Sequence, residues 1–156
     1  MGSTGQNQNI TVQITKNFKD VNICPLKLKK LVQTVCKRFK LRKASVSIAI
    51  VNNAQIRKIN KQFLNKNRVT DCISFNLSDK DKNSAKSFEL VVNAEMAVKE
   101  ANIRGHSTEA ELALYITHGL LHNLGFDDST TAKASKMHNT EDEILKQLGY
   151  GLIYSS

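Results

Sequence analysis

A chain of 156 residues, 40% of them hydrophobic, fits one globular domain able to bury its own core, and this composition excludes a disordered chain. No apolar run approaches the ~18–20 residues a membrane-spanning helix needs, so no membrane association is expected. The net charge of +9 is unevenly placed: residues 1–86 hold 18 Lys/Arg against 4 Asp/Glu (+14), and residues 87–156 hold 5 against 10 (−5). A basic half suits a polyanion such as nucleic acid, although a solubilising surface has the same composition.

Residues 1–9, MGSTGQNQN, are small and polar and lack the apolar core of a secretory signal, so a flexible tail is expected there. Residues 10–15 alternate apolar and polar as a half-buried strand does. Pro25 opens a helical pattern whose buried face is Leu28, Leu31, Val32, Val35 and Phe39. Residues 45–51 are a second alternating strand. Residues 53–63 are helical, with Ile56, Ile59 and Phe63 at helical spacing and Asn53 as N-cap. A basic loop leads into a third strand at 71–75, a polar stretch follows at 79–86, and 88–93 form a fourth strand. Residues 94–103 are helical and end at Gly105. Thr108 and Glu111 fit a capping box for a helix running to about Leu124, where Gly125 stops it, and a last helix covers about 131–148. No linker or repeat divides the chain. The pattern predicts an α+β class: a single domain over 1–156, with a small four-stranded mixed sheet packed with about five helices. The strand order is open.

Cys24, Cys36 and Cys72 are widely spaced and odd in number, which reads as reduced thiols in a cytoplasmic protein. Cys36 and Cys72 fall in apolar patterns that suggest core.

The stretch His118–Asp128, HGLLHNLGFDD, carries the chemistry. His118 and His122 lie four residues apart on a predicted helix, so both rings project from one face, one turn apart. Gly125 permits a sharp turn that returns a downstream carboxylate over them. Asp128 is placed for that, and Asp127 competes for the role; its alternatives are a cap or a hydrogen bond to a ligand histidine. Two nitrogens and one oxygen leave a fourth position for water, as in catalytic zinc sites. Gly119 stands where HExxH metalloproteases place their general-base glutamate, which disfavours that mechanism. With three Tyr, six Phe and no Trp, no aromatic platform for stacking bases is visible.

HGLLHNLGFDD closely resembles the HGxLHLxGYDH motif of the YbeY family, metal-dependent endoribonucleases tied to ribosomal RNA maturation. Thr70–Phe75, TDCISF, looks like the family's TDVLSF. Glu89–Val92 followed by Ala94–Ala97 is similar to its GDI-type strand and next helix. Met137, Glu141, Ile144, Leu145 and Gly149 match its C-terminal pattern. The resemblance covers about residues 45–150. It implies a zinc ion, one per chain, held by His118, His122 and Asp128 and acting in catalysis through those ligands. Asp128 stands where the family has a third histidine. Leu64 stands where many members have an arginine, with Arg68 nearby, and Asn123 replaces a common apolar residue.

The implied function is a zinc-dependent, single-strand-preferring endoribonuclease acting in ribosomal RNA maturation and ribosome quality control, in contact with the small ribosomal subunit. Lys61, Lys66 and Arg68 are candidates for holding the RNA backbone, against the alternative of a solvated loop. Two other readings are an RNA-binding or ribosome-binding assembly factor with a structural metal, and a metal hydrolase of a non-RNA substrate.

Overall fold

The computed structural model describes residues 8–79 and 85–150. Its elements in chain order are β1 (Asn9–Lys16), α1 (Pro25–Arg38), β2 (Lys43–Val51), α2 (Asn53–Leu64), β3 (Cys72–Asn76), β4 (Lys86–Asn93), α3 (Ala94–Arg104), α4 (Thr108–Asn123) and α5 (Thr131–Gln147). The strands form one mixed sheet in the order β1-β2-β4-β3, with β1, β2 and β4 parallel and β3 antiparallel to β4. The α+β class and the four-stranded mixed sheet match the sequence reading.

Strand pairing moves some boundaries outward. Asn9 pairs with Lys43, and Gln8 Nε2 donates to Leu41 O at 3.1 Å, so residues 8 and 9 are ordered with the sheet edge, contrary to the expected tail. Residues 1–7 of that tail, and 80–84 of the polar stretch, lie outside the described residues.

Side chains alternate across a strand, which divides the sheet into two unlike faces. On one, Val46, Ile48 and Ile50 of β2 stand beside Phe88, Leu90 and Val92 of β4, all buried. They pack with Leu28, Leu31, Val32 and Val35 of α1, Leu112, Ile116 and Leu120 of α4, and Met137 and Ile144 of α5. Each fully buried side chain of this size contributes about 1.5–3 kcal/mol against exposure. On the other face a smaller cluster, Val51, Ile56, Ile73 and Val91, lies under α2.

Two caps differ from the expected ones. Asn52, not Asn53, caps α2: its side chain accepts from Gln55 N–H while the Gln55 side chain accepts from Asn52 N–H. Asn53 is instead occupied by Asn93, whose Nδ2 donates to its Oδ1 at 2.7 Å. For α4, Ser107 is the cap, accepting from Ala110 N–H at 3.0 Å. Glu111 is therefore free of capping. It is buried and meets His106 Nε2 at 2.6 Å and Arg104 Nη1 at 3.4 Å.

α4 is buried nearly all round, as suits a central helix. Gly119 lets it sit close to the sheet, because a Cβ there would lie 2.8 Å from Cys72 Sγ and 3.0 Å from Leu90 Cδ2. The missing side chain at this position is therefore a packing requirement. A glutamate in the HExxH position has no room.

Candidate metal centre

α4 presents His118 and His122 near its C-terminal end, with Nε2 atoms 3.0 Å apart. Each ring is fixed by its other nitrogen. His118 Nδ1 lies 2.6 Å from Glu141 Oε2, and His122 Nδ1 lies 3.1 Å from Phe126 O. An ionised carboxylate and a carbonyl only accept, so both Nδ1 atoms carry the proton and both Nε2 atoms face each other. Lone pairs at that separation repel unless a proton or a cation lies between them.

The partners of the two rings follow from local sequence. Met137, Glu141, Ile144 and Leu145 share the buried stripe of α5, which aims the Glu141 carboxylate at α4. At the end of α4, Gly125 adopts φ +100°, and Phe126 N–H bonds Leu121 O at 2.9 Å across it. That turn places the Phe126 carbonyl against His122 and seats the Phe126 ring on Phe39, with centroids 5.6 Å apart. It also returns Asp128: one ligand atom each from His118, His122 and Asp128 lie within 4.8 Å of one another. The two imidazoles and one carboxylate, with both imidazoles braced behind, fit a small divalent cation that keeps an open position.

Asp127 does not compete. Its Oδ1 accepts from Ser129 N–H at 3.0 Å and Ser129 Oγ–H at 2.7 Å, and Lys133 Nζ lies 3.5 Å from Oδ2. The Ser129 hydrogen bonds hold its carboxyl below the ordinary carboxylate range. It shapes the turn that delivers Asp128.

The family profile described as Endoribonuclease YbeY matches residues 12–149. The chain belongs to the YbeY family. It is 35% identical to endoribonuclease YbeY of Bacillus licheniformis over 122 residues, covering 72% of this chain and 76% of that one. It is 33% identical to the Francisella philomiragia protein of the same name over 127 residues, covering 78% and 80%. The solution structure of TM1509 from Thermotoga maritima shares the fold, with TM-score 0.57 at 21% identity over 88% of this chain and 91% of that one.

Within the YbeY framework, two features of this chain stand out. The first is the proton balance at His118. Burial alone would lower its pKa, but the hydrogen bond and charge of Glu141, with Asp71 and Asp128 further off, outweigh burial and hold it above its ordinary value. The second is the cavity against His118, about 310 Å3, whose lining includes Thr70, Asp71, Glu100, Arg104 and Tyr115. Burial and the neighbouring Glu111 push the Tyr115 hydroxyl pKa upward, so it stays protonated. Cys72 is likewise held as a thiol, by burial and then by the Asp71 charge. Cys36 is buried as expected, and its pKa is pushed up to about 11.

None of Lys61, Lys66 and Arg68 lines that cavity. All three are exposed, on the last turn of α2 and the loop after it, where Arg68 O accepts from Asn60 Nδ2 at 3.1 Å. Leu64, at the position of the expected arginine, is 44% exposed. The basic residue that lines the cavity is Arg104, whose Nη1 lies 3.4 Å from Glu111 Oε1. The sequence reading passed over it because a basic residue just before a terminal glycine reads as an ordinary helix end. Glu141 entered that reading only as part of a pattern, since the α4–α5 contact it makes is invisible to local spacing.

Proposed function

We propose that this chain is a zinc-dependent, single-strand-preferring endoribonuclease that matures ribosomal RNA, and that it works in the cytoplasm with the small ribosomal subunit as its partner. Membership of the YbeY family makes it an endoribonuclease, a hydrolase of RNA phosphodiester bonds. Among the described residues no helix is long and apolar enough to cross a membrane. The observation that carries the metal dependence is the convergence of His118, His122 and Asp128 with both imidazoles braced on their far nitrogens.

A divalent cation bound there supplies a Lewis acid and a water of lowered pKa. The rest is the work of the chain. Glu141 keeps the His118 proton on Nδ1, and the Phe126 carbonyl does so for His122, so both Nε2 lone pairs are committed to the ligand position. Asp128 adds a negative charge where the family has a third imidazole, which reduces the electrophilicity of the centre. Arg104 offers a cation in the cavity beside His118, suited to a phosphate next to the reacting one. Lys61, Lys66 and Arg68 supply a second basic surface for the RNA backbone. A structural metal is the weaker reading, because structural sites close with four protein ligands and the cluster among the described residues has three.

The test separates cleavage from binding. His118→Ala should abolish cleavage of ribosomal RNA fragments while leaving most of the RNA affinity. If cleavage survives in His118→Ala and His122→Ala alike, the metal is structural and the reaction lies elsewhere.

A further inference from the structure

Among the described residues, the sheet face turned away from α4 is largely uncovered. Strand register aligns Gln13, Ser47, Glu89 and Phe75 across it, with Thr15, Ala49 and Val91 in the next row. α2 shelters only part of this face. Between α2 and the open strands lies a groove of about 490 Å3, walled by Ile59 and Phe63 on one side and by Phe75 and Leu77 on another. Parallel strands usually have both faces covered, so a bare face on a sheet with three of them calls for an occupant. Phe63 is 61% exposed and Leu77 56% exposed, although Phe63 already meets Phe75 edge to face with centroids 5.8 Å apart. Exposed aromatic and aliphatic groups grouped at one groove mark a binding surface.

Charge identifies the occupant. From Asn52 to Thr70, the segment that forms the Phe63 wall holds Arg57, Lys58, Lys61, Lys66 and Arg68, all exposed, and no Asp or Glu. Lys58 sits one step of about 100° round the helix from the groove-lining Ile59. The floor mixes Gln13, Thr15 and Ser47 with apolar Ala49 and Val91, and holds one carboxylate, Glu89. A carboxylate there repels phosphate, but it accepts hydrogen bonds from the exocyclic amines of cytosine or adenine. An extended strand entering the groove would lie with phosphates toward α2 and bases inward.

We infer that this groove is a second RNA contact, remote from the metal ligands, in which single-stranded bases stack on Phe63 and Phe75. The inference rests on the endoribonuclease reading and adds a substrate-holding surface on the opposite side of the sheet. Phe63 of α2 and Phe75 of β3, which no local period relates, meet at one groove, and on this inference they supply the stacking surface that the sequence alone did not show.

The experiment uses the His118→Ala background, in which the RNA remains intact. A fluorescein-labelled, cytidine- and adenosine-rich 12-nucleotide RNA is titrated by anisotropy. Phe63→Ala should weaken binding by about 5- to 100-fold, the worth of one or so stacked bases. The melting temperature should change little, because Phe63 is exposed. Since the chain contains no tryptophan, Phe63→Trp gives a single reporter, whose fluorescence should be quenched by RNA while affinity is kept. Unchanged affinity in Phe63→Ala, with no quenching in Phe63→Trp and normal cleavage by the otherwise unaltered chain, overturns the groove and leaves the enzyme in place. Absence of both RNA binding and cleavage in the unaltered chain overturns both. Quenching of Phe63→Trp by ribosomal proteins but not by RNA would make the face a protein dock and overturn the inference.

Discussion

Glu141 is fully buried and meets His118 at 2.6 Å, so its carboxylate sets which nitrogen of that ring is free. We predict that Glu141→Ala lowers metal affinity about 10- to 100-fold, the usual cost of losing such a brace. Glu141→Gln, which keeps one acceptor oxygen, should lose less; competition with a chromophoric chelator ranks the two. Asp128→Ala should cost far more affinity than Asp127→Ala, and the reverse order would contradict the geometry. pH gives a third test. In the metal-free protein the folded-state pKa of His118 lies above its ordinary 6.5. Its contribution to stability is therefore fully present below the unfolded pKa and is lost as pH rises through the folded one. Metal needs the neutral ring, so the proton opposes it. Metal affinity should start falling above about pH 6.5 as the solution is acidified. An affinity that stays level down to pH 6 would show that His118 is not a ligand.

α4 carries the site only because it packs closely on the sheet. Gly119→Ala forces a Cβ to 2.8 Å from Cys72 Sγ, so a loss of about 1–3 kcal/mol in unfolding free energy is expected. Adding Cys72→Ala should recover part of it, a coupling that denaturant unfolding of the single and double variants measures. The helices and strands themselves were readable, since Leu28, Leu31, Val32 and Val35 or Val46, Ile48 and Ile50 repeat at the period of their element. His118 and His122 were readable for the same reason, and Asp128 through the motif that ends in Gly125. The reason for Gly119 was not, because it depends on which strand α4 meets. The caps slipped by one residue at Asn52 and Ser107, where two adjacent polar residues can each serve. Strand order, the Glu141 brace and the placing of Arg104 all arise from contacts between distant segments, and no local period encodes them.

Across the whole molecule, the basic half of the sequence builds β1, α1, β2, α2 and β3, while the acidic half builds nearly all of β4 and α3, α4 and α5 with the candidate metal ligands. RNA affinity should therefore fall steeply with salt. Replacing Lys61, Lys66 and Arg68 together with Ala should weaken binding and lower the log–log salt slope by up to about 2, since each single-strand phosphate contact is worth roughly 0.7. Metal content should be unaffected. On the proposed reading, the cation at His118, His122 and Asp128 drives RNA cleavage. The most direct test of that reading is single-turnover cleavage of a ribosomal RNA fragment by chelator-stripped protein during titration with zinc. The rate should rise in proportion to bound metal and saturate at one ion per chain, and His122→Ala should show no rise. A rate that is independent of zinc occupancy, or a full rate in His122→Ala, would contradict it.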